Sequence, residues 1–445
     1  MPSLLVRTQK TPLTGTITVP GDKSISHRAI MLAALADGTS TIRNWLPAGD
    51  TLATLAVFRA LGVTIQIDKH SPQAWDLTIE GRGLHGLQPP APPLNCRNAG
   101  TCMRLLAGIM AGQAFPSVLD GSSQLRKRPM RRILLPLQQM GADIAASNNK
   151  APLHIQPAHL RGIRYEMPVA SAQVKSAILL AGLYAAGETA VFQPGPARDH
   201  TERMLTAMGV VVRTEGNWVS LGQQGTGSRQ QGLTPLDITV PGDISSAAFP
   251  LVAAAIIPHS QITIENVNTN ETRTGLLDIL QTMGASFKTA NERMTGGETA
   301  VDLTVTFDEL HSIEVQGDTV VRAIDEFPIW SVAASQAAGQ STVRDAHELR
   351  VKEVDRISRL AGELRKFGLT IDEFEDGFTV HGPSRLFSAE VDSHGDHRLG
   401  MALAIAGLTT HGPTLIHDAG CITDSFPGFV GTMQALGAEM EWVEQ

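Results

Sequence analysis

The string ITVPGDKSISHRAIMLAAL at residues 17–35 returns as ITVPGDISSAAFPLVAA at residues 238–254. Both copies run from β-branched residues through Pro-Gly-Asp into an Ala- and Leu-rich stretch, the order of a strand, a turn and a buried helix. Working outward from them, similar helix openings fall near Ser24, Thr101, Ser171, Ser245, Glu326 and Arg398. Roughly forty residues after each opening comes a glycine between apolar residues, the spacing of a repeat architecture. These glycines are Gly62, Gly141, Gly209, Gly284, Gly368 and Gly437. One supersecondary unit is therefore used six times, three times between the two copies and three times after the second. Each unit reads as buried helix, β-branched strand, amphipathic helix and further strands, so the fold is α/β.

At 445 residues the chain is long for one core, and two domains of ordinary size are expected. The duplicated Pro-Gly turns mark their boundaries. One domain covers residues 21–241 and the other residues 1–20 plus 242–445, with crossings near 20/21 and 241/242. Residues 222–234 (GQQGTGSRQQGLT) read as a mobile loop, and residues 88–93 (QPPAPP) as a stiff extended connector.

Composition narrows the function. A formal net charge of −8 argues against a nucleic-acid binder, whose footprint is normally basic. Anionic substrates would then need a local basic pocket, because the net field repels them. Cys96, Cys102 and Cys421 cannot complete a disulfide framework, and a cytoplasmic location follows as the expectation. No run of about 18 apolar residues is present, so no membrane span is expected.

The chemistry-bearing motifs sit where the repeated helices begin, the end of a helix that attracts anions. In GDKSISHR, Lys23, Ser24 and Arg28 surround one such start and suit a phosphate or carboxylate; the plain alternative is Ser24 as helix cap beside two solvated cations. Asp22 between Gly21 and Lys23 rules out a P-loop. In NAGTCMR (98–104), Gly100 lets a ligand approach the backbone, while Asn98 and Thr101 can cap. RKRPMRR (126–132), which contains Arg128, fits a nucleic-acid patch, a solvated face or one arm of an anion clamp. Ser171, Gln173 and Lys175 open the third helix, and Arg198 in ARDHTE precedes the next.

Carboxylates enter with Asp325 in IDEFP and with RVKEVDR, whose Lys352, Glu353 and Arg356 read as one helical turn. Two carboxylates beside a cationic pocket can divide acid and base roles, although structural ion pairs are the plain alternative. HGDHRLGMA (394–402) supplies Arg398 without the spacing of a histidine metal pair. If the six openings converge, Lys23, Arg28, Arg128, Arg356 and Arg398 face Asp325 and Glu353, a pocket for two multiply anionic substrates closed upon by two domains.

At these motifs the chain resembles the 5-enolpyruvylshikimate-3-phosphate synthases over essentially its whole length. VPGDKSISHRA, NAGTCMR, KRPM, SAQVKSA, VPGDISSAAF, RVKEVDR and DHR fall in the family's order. The resemblance implies a two-domain inside-out α/β barrel with three repeats per domain. It implies transfer of the carboxyvinyl group of phosphoenolpyruvate to the 5-hydroxyl of shikimate 3-phosphate through a tetrahedral intermediate, with loss of phosphate and without cofactor or metal. By the same resemblance Lys23, Ser24, Arg28, Ser171, Gln173, Arg198, Asp325 and Lys352 hold shikimate 3-phosphate. Lys23, Gly100, Arg128, Gln173, Arg356 and Arg398 line the phosphoenolpyruvate side. Asp325 accepts the hydroxyl proton, Glu353 exchanges a proton with the methylene carbon, and Lys23 touches both substrates. A monomer inhibited by glyphosate is the family expectation, as is domain closure on shikimate 3-phosphate.

Two positions depart from the family pattern. Gln124 stands where many members have arginine, and Asp424 where many have lysine, which puts one phosphoenolpyruvate contact from each segment in question. The sister enzyme that acts on UDP-N-acetylglucosamine differs more: its loop cysteine is replaced here by Ser122 after Asp120-Gly121, and its Lys-Asn by Lys23-Ser24. A catalytically silent anion-binding scaffold is the reading from another class, and it sits poorly with the presence of Lys23, Asp325 and Glu353.

Overall fold

The computed structural model describes residues 2–91, 93–222 and 232–443. Most of the polar loop expected at 222–234, and one residue of the 88–93 connector, lie outside the described residues. The chain divides into a central unit, Gly21–Val240 with Met294–Glu298, and a terminal unit, Met1–Pro20 with Pro241–Arg293 and Thr299–Gln445. The second division falls one residue before the boundary expected from the sequence, and the short segment 294–298 was not foreseen.

Among the described residues the strands form six four-stranded sheets with one shared plan. In the central unit, Leu94–Asn95 lies parallel to Ser117–Asp120, and Leu153–Gln156 and Asp143–Ala146 follow antiparallel. The parallel pair is joined through a helix, Gly100–Met110, because parallel neighbours need a crossover connection. The sheet Arg164–Glu166, Thr189–Phe192, Trp218–Leu221 and Val212–Glu215 repeats this order. In the terminal unit, Glu314–Val315, Gly339–Val343, Phe378–Gly382 and Ile371–Glu373 do the same.

The duplicated strings exchange their strands. Thr14–Thr18, from the first copy, pairs in parallel with Gln261–Asn268, which follows the second copy. Asp237–Thr239, from the second copy, pairs with Thr39–Trp45, which follows the first. The chain passes from one unit to the other immediately after each of these strands, at the Pro-Gly turns. A Cβ at Gly21 would lie 2.2 Å from the Asn44 carbonyl oxygen, so only glycine fits this crossing. The sixth repeat is closed by the N-terminal strand Ser3–Val6, held between Thr414–His417 and Met440–Val443.

Each unit has its own hydrophobic core. In the terminal unit the helices Ile244–Ile256 and His397–Leu408 are buried along their whole length. They pack on each other and on Phe327–Gln336, as expected of helices apolar on every face. In the central unit Gly100–Met110 packs on both Lys23–Ala34 and Ala172–Gly182. A Cβ at Gly108 would stand 2.2 Å from the Ala177 carbonyl oxygen, so two of these helices meet backbone to backbone. The second helix of a repeat buries one stripe instead, as Ile357, Leu360, Ala361 and Leu364 do in Arg356–Lys366. The six repeat glycines all have positive φ just beyond such helices, the usual left-handed stop.

Candidate active site

In the central unit the aspartate of Pro-Gly-Asp, rather than Ser24, caps the first helix: Asp22 Oδ1 accepts from the Ile25 amide at 3.0 Å. That leaves Lys23 and Ser24 half-buried at the helix start, with Lys23 Nζ 3.5 Å from Asp50. Arg28, one turn on, is 3% exposed, and its Nη1 donates back to the Ser24 carbonyl at 3.0 Å. Burial pulls the Arg28 guanidinium down to about 10, against the opposing pull of Glu202 and Asp22 and with help from Arg198. A cation this poorly solvated gains strongly from an anionic ligand.

The NAGTCMR segment does not cap its helix as expected; the Gly100–Met110 helix begins after Ala99 with no side-chain cap. Its polar groups bond across the unit instead. Thr101 Oγ1 accepts from Gln173 Nε2 at 3.0 Å, and Gln173 Oε1 accepts from Arg104 Nη1 at 2.6 Å. Asn98 Nδ2 donates to Gln124 Oε1 at 3.1 Å. A Cβ at Gly100 would lie 3.1 Å from Arg104 Nη1 and 3.3 Å from Arg128 Nη1, so two guanidinium groups flank this glycine. Ser171 caps the third central helix, accepting from the Val174 amide at 3.5 Å. Lys175, one turn later, is fully buried against Glu202 at 2.5 Å and is spent on structure.

In the terminal unit Asp325, Glu353, Lys352, Arg356 and Arg398 come together. Arg356 Nε donates to Asp396 at 2.8 Å, Nη2 to Glu353 at 2.7 Å and Nη1 to Asp325 at 3.2 Å. Burial disfavours its charge, but Asp396, Glu353 and Asp325 outweigh burial and push its pKa above the ordinary arginine value. Asp396 is fully buried too; Arg356 and His397 overcome the burial penalty and hold its carboxyl below the usual range. Asp325 Oδ1 also lies 3.4 Å from Lys352 Nζ, and its Oδ2 3.8 Å from Arg398 Nη2. Arg398 Nη1 reaches Glu326 at 3.3 Å, and Ser245 Oγ donates to the same carboxylate oxygen.

RVKEVDR is not one helical turn. Asp355 Oδ1 accepts from the Ser358 amide at 3.1 Å, which starts the helix at Arg356 and leaves Lys352 and Glu353 in the irregular stretch before it. The sequence also understated the acids facing the basic groups. Glu326 and Asp396 join Asp325 and Glu353. Asp396 is a helix cap, accepting from the Arg398 and Leu399 amides, while its carboxylate also holds Arg356. Arg104, on the same helix as Gly100, was missed outright. Among the described residues no group of three or more His, Cys, Asp and Glu side chains is arranged to hold a metal ion.

His27 gives a pH dependence. It is fully buried with Nδ1 2.7 Å from Thr54 Oγ1, and burial, then Lys23 and Arg28, lower its pKa from 6.5 to about 3. The unfolded imidazole therefore takes up a proton that the folded one refuses, so stability is complete above pH 6.5 and falls between 6.5 and about 3. The loss approaches about 1.4 kcal/mol per pH unit within that window. Urea unfolding at pH 7 and pH 5.5 is expected to show a smaller acid loss for His27→Gln than for the parent. Parallel losses would contradict this.

The family model described as EPSP synthase (3-phosphoshikimate 1-carboxyvinyltransferase) matches residues 7–433. A 3-phosphoshikimate 1-carboxyvinyltransferase of Citrifermentans bemidjiense is 51% identical over 424 residues, covering 95% of this chain and 96% of the relative. One from Brevibacillus brevis is 49% identical over 423 residues, covering 95% and 97%. The solved EPSP synthase of Acinetobacter baumannii superposes with a TM-score of 0.89 at 43% identity, covering all of both chains.

Proposed function

Because the chain belongs to the EPSP synthase (3-phosphoshikimate 1-carboxyvinyltransferase) family, we propose how its residues divide the family's reaction between them. It transfers the carboxyvinyl group of phosphoenolpyruvate to the 5-hydroxyl of shikimate 3-phosphate and releases phosphate, a step of aromatic amino-acid biosynthesis. Lys23 meets both substrates. Ser24, Arg28, Ser171, Gln173, Arg198, Asp325 and Lys352 hold shikimate 3-phosphate, while Gly100, Arg128, Gln173, Arg356 and Arg398 hold phosphoenolpyruvate. Asp325 takes the proton of the 5-hydroxyl as its oxygen attacks C2 of phosphoenolpyruvate. Glu353 gives a proton to the C3 methylene and takes one back as phosphate leaves, which restores the double bond. The cations offset the negative charge of the tetrahedral intermediate, usually the largest catalytic term. Arg356 binds three carboxylates, and two of them, Asp325 and Glu353, are the groups assigned to proton transfer.

The observation that carries this assignment is the pair of guanidinium groups against Gly100. An added methyl there would crowd Arg104 Nη1 at 3.1 Å and Arg128 Nη1 at 3.3 Å, so the glycine keeps room for an anion between them. Glyphosate, an anionic competitor for that space, is proposed as an inhibitor. Gly100→Ala is expected to raise the glyphosate concentration for half inhibition about tenfold or more, the scale of one misplaced methyl group. The KM for phosphoenolpyruvate should rise less and that for shikimate 3-phosphate stay unchanged. Inhibition curves that superimpose would overturn the placement of phosphoenolpyruvate at Gly100.

The two units are proposed to be the enzyme's two domains, and the enzyme to act as a cytoplasmic monomer. Free thiols at Cys96, Cys102 and Cys421 support a reducing compartment. No helix among the described residues is long and apolar enough to cross a membrane.

A further inference from the structure

Arg28 is a buried cation held without a carboxylate. Its Nε donates to Thr201 Oγ1 at 2.7 Å, its Nη2 to Ser176 Oγ at 2.8 Å and its Nη1 to the Ser24 carbonyl at 3.0 Å. Thr201 and Ser176 are both fully buried, and their hydroxyl oxygens stand 2.7 Å apart, so the two hydroxyls also bond each other. Other buried cations are held differently. Lys175, beside Ser176 on the same helix, is neutralised by Glu202 at 2.5 Å, and Arg356 binds three carboxylates.

The difference has a physical consequence. A carboxylate fixes a guanidinium by cancelling its charge, whereas a hydroxyl accepts the same N–H bond and leaves the charge in place. Because the two hydroxyls also bond each other, displacing either breaks two hydrogen bonds, and the guanidinium plane is held in a triangle of oxygens. A guanidinium has five donors; with three engaged, one N–H on each Nη nitrogen remains for a ligand.

We propose that Thr201, assisted by Ser176, is a positioning residue that fixes Arg28 in the orientation in which it takes an anionic group of shikimate 3-phosphate. This rests on the assignment of Arg28 to that substrate. Neither hydroxyl touches substrate; both act through Arg28, a cation that burial disfavours and that no carboxylate contacts directly.

The test is steady-state kinetics on Thr201→Val, Thr201→Ser, Ser176→Ala and Arg28→Lys, with thermal unfolding of each. Thr201→Val keeps the shape and removes the acceptor. It is expected to raise the KM for shikimate 3-phosphate about tenfold, the scale of a lost hydrogen bond to a charged group. The KM for phosphoenolpyruvate should stay unchanged and kcat within about twofold, because the lost bond serves ground-state and transition-state binding alike. Thr201→Ser, which restores the hydroxyl, should return the KM to near the parent value. Ser176→Ala should shift the same KM in the same direction, which keeps the test available if the valine variant does not fold. An unchanged KM in both Thr201→Val and Ser176→Ala would overturn the proposal. So would a serine variant as impaired as valine, or a rise of both KM values in step with lost thermal stability. If Arg28→Lys leaves the KM for shikimate 3-phosphate unchanged while Thr201→Val raises it, the assignment of Arg28 fails instead, and the positioning role with it.

Discussion

Asp325→Asn is expected to lower kcat by about 10²–10⁴-fold, the usual loss when a positioned general base is removed. Asparagine keeps the size of the side chain, so the contacts of Asp325 with Arg356 at 3.2 Å and Lys352 at 3.4 Å become contacts of a cation with a neutral amide oxygen rather than vacancies. Two effects then compete. Removing the base slows the attack of the 5-hydroxyl, while removing a negative charge leaves Lys352, Arg356 and Arg398 freer to bind anions. The second effect lowers KM or leaves it unchanged, and cannot compensate a lost proton acceptor at saturating substrate. The expected signature is therefore a collapsed kcat with KM values no higher than in the parent. A variant with kcat within about threefold of the parent would show that the proton goes elsewhere.

Arg356→Met is the largest expected effect on stability. The side chain is 1% exposed and lies between fully buried Asp396 and the carboxylates of Glu353 and Asp325. Methionine fills much of the volume but leaves those carboxylates without their shared cation. Breaking a buried ion pair from one side typically costs 3–5 kcal/mol, so a fall in Tm of about 10 °C is expected. The pH dependence identifies the cause. In the parent, Asp396 has its carboxyl below 3.8, so the pairing is complete above that value and is lost as pH falls through the lowered one. In the variant the buried Asp396 carboxylate, deprived of Arg356, takes up a proton more readily, so the gap in Tm should narrow on acidification. A gap that is constant with pH, or under about 2 °C at neutral pH, would contradict this account.

Much of this architecture could be read from particular strings. The six apolar-Gly strings marked six repeats, which correspond to the six sheets among the described residues. What the strings did not show was the exchange of Thr14–Thr18 and Asp237–Thr239. Each strand pairs with a segment far away in the chain, Thr14 with Gln261 and Asp237 with Thr41, and local periodicity carries no record of such pairing. Candidate cations were legible where a motif placed them at a helix start, as with Lys23, Arg28 and Arg398. Partners were not, because Asp396 and Glu326 look the same in sequence whether they cap a helix or hold an arginine. Lys175, at the opening of the third central helix, is a core ion pair, while Thr201 and Ser176 are plain hydroxyl residues that gain meaning only from their distance to Arg28. The misread helix at RVKEVDR has a local cause: Asp355 offered a cap three residues before Ser358, and the helix starts there.

The most direct test of the account is phosphate release from phosphoenolpyruvate with either shikimate 3-phosphate or UDP-N-acetylglucosamine as acceptor. Release that depends on shikimate 3-phosphate, and is absent with the nucleotide sugar, is the predicted result. Release only with UDP-N-acetylglucosamine would contradict the assignment of Arg28, Ser171 and Arg198 to shikimate 3-phosphate. No release with either acceptor, from folded protein, would contradict catalysis itself and direct attention to Gln124 and Asp424.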